Sequence, residues 1–139
     1  MSSKNRAPTT PAYTNELDKY RLAKLWRSRS PGTADSGVIT LTDAATITLN
    51  ASLGSNFRVV LGGNRVLANP TGLSNGQVFN IRIKQDATGS RTLSYGTMYK
   101  FPGGIAPTLS TGANAIDFMS CQYDAADSVL ICVMNKAFA

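Results

Sequence analysis

Histidine is missing altogether from the 139 residues, and with it the commonest general base and the commonest metal ligand. Ser-His-Asp and Cys-His catalysis are thereby excluded. Charge is sparse as well: 16% of residues are charged, against roughly a quarter in ordinary soluble domains. No apolar run approaches the roughly 18 residues a membrane helix needs. The opening residues, MSSKNRAPTTPAYTNE, hold no apolar segment of the kind a secretory signal carries. Only two cysteines occur, Cys121 and Cys132.

Threonine, serine, asparagine and glycine fill the space left by charge. That mixture suits a β-rich domain with many turns and a polar surface. The length is right for one domain with one core. The net charge of +6 is uneven, because residues 1–30 hold seven basic and two acidic residues. A basic arm of this kind suits an acidic partner surface, whether protein, nucleic acid or lipid headgroup.

Residues 1–14 combine proline with small polar residues and read as extended or disordered in isolation. Residues 15–30, NELDKYRLAKLWRSRS, form the one helix candidate, capped by Thr14 or Asn15 and stopped by Pro31-Gly32. Leu22, Leu25 and Trp26 make one apolar patch, while Leu17, Tyr20 and Ala23 lie on the other side. Such an arm could fold back on its own domain, reach a neighbouring subunit, or stay extended. Alone in water so short a helix is marginal.

From residue 31 to the end the pattern becomes that of short strands. Runs at 38–42, 45–50, 57–61, 65–68, 79–84, 91–95, 99–101, 116–123 and 128–134 alternate or are apolar, with turn residues about every 8–12 positions. This predicts an all-β domain, an antiparallel sandwich or barrel-like (jelly-roll-like) fold, preceded by the extended or short-helical arm. Its centre would be a hairpin over residues 77–95, with Phe79, Ile81 and Ile83 inward, Asn80, Arg82 and Lys84 outward, and a turn at 86–90.

The candidate chemistry is thin. With Tyr123 opposite Ser128, the two cysteines would sit diagonally, about 7–8 Å apart at Cα, too far for an easy disulfide. Two free, buried thiols are expected, as in a reducing cytoplasm. Of the domain's carboxylates, Asp35, Asp43, Asp86, Asp124 and Asp127 fall in turns, where aspartate bonds local backbone, and only Asp117 falls within a strand. No facing acid pair emerges for glycoside hydrolysis, and Asp124 with Asp127 falls short of a calcium shell. Tyr95, Tyr99 and Phe101 are either hairpin core or an aromatic platform for sugars or bases.

The run from residue 62 to 124 resembles the small β-domains of tailed-bacteriophage virion proteins, both tail-fibre tips and small head-decoration (cement) proteins. The resemblance rests on Gly63-Asn64-Arg65 with Asn69-Pro70, on residues 85–91 (QDATGSR), on residues 100–104 (KFPGG) and on the stretch from Leu109 to Asp117. It implies a homotrimer and no catalytic residue. A short arm before a compact domain fits a decoration protein better than a fibre tip with its long shaft. The expectation is therefore a virion structural protein on the outer capsid surface, assembled in the host cytoplasm. Its arm residues Tyr13, Leu17, Tyr20, Leu22, Leu25, Trp26, Arg27 and Arg29 would grip the major capsid protein or a neighbouring subunit. No enzyme activity, cofactor, metal, direct nucleic-acid contact or membrane is expected. The alternative is a receptor- or glycan-binding tail tip, with Tyr95, Tyr99, Phe101 and the 69–76 loop lining the site.

Overall fold

Alternation is what shapes the strands. In the computed structural model, which describes residues 37–138, β3 (Asn56–Leu61) buries Phe57, Val59 and Leu61 and turns Arg58 and Val60 outward. β5 (Val78–Gln85) buries Phe79, Ile81, Ile83 and Gln85 in the same rhythm. A period of two places one face on a core and the other in water. The remaining strands are β1 (Ile39–Thr40), β2 (Thr46–Ile47), β4 (Arg65–Leu67), β6 (Leu93–Tyr95), β7 (Tyr99–Lys100), β8 (Ile116–Asp124) and β9 (Val129–Phe138). The all-β expectation holds, and each of the nine expected runs contains a strand.

The strands form a six-stranded sheet of order β1-β3-β5-β8-β9-β7 and a three-stranded sheet of order β2-β4-β6. From β1 to β6 the chain alternates between the sheets, and each strand pairs in parallel with the strand two before it. Ile39 pairs with Phe57 and Phe57 with Ile81 in the first sheet; Thr46 pairs with Val66 and Val66 with Ser94 in the second. The chain thus winds as a three-turn coil. The antiparallel strands β8 and β9 extend the larger sheet beyond β5, and β7 adds in parallel at its far edge.

Five of the seven pairings are parallel, which corrects the antiparallel expectation. The expected central hairpin is absent too, because β5 and β6 belong to different sheets. Both edges of β5 are taken, by β3 and β8, so β6 has no place beside it. The turn itself steers the chain away. The buried Gln85 side chain donates to the Arg91 and Ser110 carbonyls at 2.9 and 2.8 Å and accepts the Arg91 amide at 2.8 Å. Asp86 Oδ1 accepts the Thr88 and Gly89 amides. Gly89 has φ 79°, and a Cβ there would come within 2.6 Å of the Thr111 carbonyl oxygen, so glycine alone fits the corner.

Side chains at the other corners fasten one turn of the coil to the next. Asp43 accepts the Gly62 amide and pairs with Arg65 at 2.7 Å. Asn64 accepts the Thr92 amide, and Asn69 the Met98 amide. One core fills the interior, with Ile47, Leu49, Leu61, Leu67, Phe79, Ile81 and Met119 sealed from solvent. Phe57 and Phe79 meet edge to face, ring centres 6.2 Å apart, an arrangement that favours aromatic pairs.

Candidate functional site

Two surfaces stand out. The first is a groove of about 700 Å³ between β6 and residues 104–111. Tyr95, Tyr99 and Phe101 line it, with the Tyr95 ring 4.8 Å from Phe101 and 5.8 Å from Tyr99 between centres. The structure therefore brings the three expected aromatics together. It does not bring in the 69–76 loop, none of whose residues lines the groove. Tyr99 is buried and its hydroxyl donates to the Ala68 carbonyl at 3.1 Å. The Tyr95 hydroxyl is buried without a hydrogen-bond partner. Burial, and after it the proximity of Asp117, Cys132 and Cys121, pushes that hydroxyl above its usual range. Tyr95 thus lends the groove a ring face while its oxygen lies in the core.

The second surface is the outer face of the six-stranded sheet. Seven cationic side chains occur among the described residues. Arg65 and Arg91 pair with Asp43 and Asp86, and Lys136 donates to the Thr108 carbonyl. The other four, Arg58, Arg82, Lys84 and Lys100, all stand on this one face. Alternation along β3, β5 and β7 places them there. Arg82 lies beside Arg58 and Phe118, Lys84 beside Val60 and Ile116, and Lys100 beside Ile131. Val60, Ile131 and Val133 leave 50–56% of their surface exposed.

The carboxylates are engaged elsewhere. Asp117 is buried and accepts the Ser110 amide, the Ser110 hydroxyl and the Ala137 amide. The Arg91 guanidinium, helped by the Gly89 amide, holds Asp86 down at about 2. Arg65 likewise lowers Asp43. Asp124, at the margin of the outer face, accepts the Ala126 amide in the hairpin turn. Among the described residues no three metal-ligating side chains of the His, Cys, Asp or Glu type gather.

The cysteines are free and buried, but their register corrects the expected diagonal. Tyr123 pairs with Leu130, so Cys121 lies directly opposite Cys132. A hydrogen bond with the Cys132 thiol, together with burial, pushes the Cys121 thiol up. That favours an inert thiol. The expected arm contacts Tyr13, Leu17, Tyr20, Leu22, Leu25, Trp26, Arg27 and Arg29 lie outside the described residues.

Sequence reasoning did not select the outer face, although part of its signal was visible. Arg82 and Lys84 sit at outward positions of a clear alternation. In residues 129–134, VLICVM, the outward positions Ile131 and Val133 are as apolar as the inward ones. That pattern marks a strand with two apolar faces. No family model, curated protein or solved structure matches the chain.

Proposed function

We propose that this chain is a virion structural protein, a capsid decoration (cement) protein that sits as a homotrimer on the outer head surface and stabilises the shell. The observation that carries this is the concentration on one broad sheet face of exposed aliphatics and of cations without an ion-pair partner among the described residues. A flat face of that kind suits docking on another protein. The resemblance of residues 62–124 to virion β-domains supports the same conclusion. The two-sheet domain, sandwich-like but parallel-coiled, would be the knob, and residues 1–30 the arm that grips major capsid subunits. Many weak contacts repeated over a closed shell add by multivalency. This function needs no turnover, cofactor or metal, and no contact with nucleic acid or membrane.

Quantitative mass spectrometry of purified particles tests it. A decoration protein is present in fixed ratio to the shell protein, one trimer per lattice site. A tail protein is present in the few copies that one tail carries. That second position, a receptor- or glycan-binding tip, is favoured by the groove at Tyr95 and Phe101. Aromatic faces in an open groove can stack on sugar rings.

A further inference from the structure

We infer that the outer face of the six-stranded sheet is the docking surface, and that its partner is a folded protein surface rich in carboxylates. The inference rests on the decoration function above and names the chemistry of its contact.

The charge distribution carries the argument. Arg58 and Arg82 are paired directly across the parallel strands β3 and β5. Like charges in that position repel. Arg58 Nε donates to the Thr40 hydroxyl at 3.0 Å, which holds its side chain over β1. Lys84 stands one outward step further along β5 and Lys100 at the far edge, beside Ile131. Of the five aspartates among the described residues, Asp43 and Asp86 bond to arginines at the coil corners, Asp117 is buried, and Asp124 and Asp127 lie at the hairpin end. A partner's carboxylates would relieve the arginine repulsion that the fold leaves in place.

The apolar side chains between the cations decide the class of partner. Across the sheet the outward positions run Arg58, Arg82, Phe118, Asn135 in one row, Asn56, Asn80, Ser120, Val133 in the next, whose first three side chains bond one another, and Val78, Gln122, Ile131, Lys100 in a third. Phosphate contacts would use the cations and leave the valines and isoleucines wet, because aliphatic side chains give bases no stacking face. Cations set among exposed apolar and neutral polar side chains match a protein interface, in which arginine and apolar groups mix with neutral hydrogen-bonding ones. A second copy docking through the same face would set cation against cation.

The test uses the full chain with a random Glu/Tyr copolymer as acidic-apolar probe, followed by amide NMR. Duplex DNA and anionic phosphatidylserine vesicles serve as competing probes at equal ionic strength. The expected footprint centres on Arg58, Arg82, Phe118, Ile131 and Val133. Arg82→Glu with Lys84→Glu should weaken copolymer binding at least about tenfold, the effect of reversing a contacting charge pair, while the spectrum stays folded. Arg82→Lys with Lys84→Arg should retain binding. A footprint confined to the groove or to residues 1–30 overturns the inference. So does undiminished binding by the charge-reversed chain, or tighter binding of DNA or vesicles to the same face. If the footprint lies on the face but particle counting gives tail stoichiometry, the face stands and the decoration function falls. Shell stoichiometry with a footprint elsewhere gives the reverse.

Discussion

Tyr95 and Gln85 are buried polar side chains with opposite fortunes, and their substitutions should move stability in opposite directions. The Tyr95 hydroxyl has no partner, so Tyr95→Phe removes a desolvated group and loses no bond. We expect thermal stability to rise by up to about 1 kcal/mol, with the ring still lining the groove; a fall in the urea midpoint would contradict this. The Gln85 amide makes three bonds to the backbone of residues 91 and 110. Gln85→Leu keeps the bulk but orphans those groups, and should cost about 2–4 kcal/mol by urea unfolding. Asp86 adds a pH dependence. Its folded pKa lies near 2, below the usual 3.8. The stabilisation it provides is present above the usual value and lost as pH falls through about 2. Asp86→Asn should therefore melt lower than the parent at neutral pH, and the two curves should converge between about pH 4 and 2. Parallel curves over that window would show that the Arg91 pair contributes nothing.

The elements depend on corners as much as on strands. Gly89 and Gly103 both have positive φ, 79° and 68°, but only Gly89 faces backbone at close range. Gly89→Ala should lower stability by about 1–3 kcal/mol, whereas Gly103→Ala, with open space around it, should cost only the left-handed backbone penalty of about 1 kcal/mol. Equal losses at the two sites would mean that the contact with Thr111 is unimportant. The strands were legible because Phe57, Val59, Leu61 and Phe79, Ile81, Ile83 repeat with period two. Their directions were not. Parallel sheets usually show continuous apolar runs because both faces are covered. Here the parallel sheet is covered on one face, so it alternates as an antiparallel sheet would. Turn residues at 86–90 pointed to a hairpin, and only the occupancy of both β5 edges shows otherwise. The aromatic trio was legible from Tyr95, Tyr99 and Phe101. The outer face was not, since Arg58, Arg82, Phe118 and Ile131 become neighbours only through long-range pairing.

At the scale of the molecule, the coil and its antiparallel extension produce two unlike faces on one sheet. The inner face is sealed against the three-stranded sheet and holds the two buried thiols. The outer face carries Arg58, Arg82, Lys84 and Lys100, four of the five described cations that form no ion pair with a described aspartate. Because exposed charges are screened by salt, association through this face should weaken as ionic strength rises from about 0.05 to 0.5 M, leaving a residual apolar component from Phe118, Ile131 and Val133. Binding insensitive to salt would shift the weight to the apolar groups alone. The most direct measurement is a reconstruction of the intact particle by electron cryomicroscopy at side-chain resolution. We predict density for this domain over the shell, with Arg58, Arg82 and Lys84 against shell carboxylates; density at the tail, or on the shell with this face turned to solvent, would contradict it.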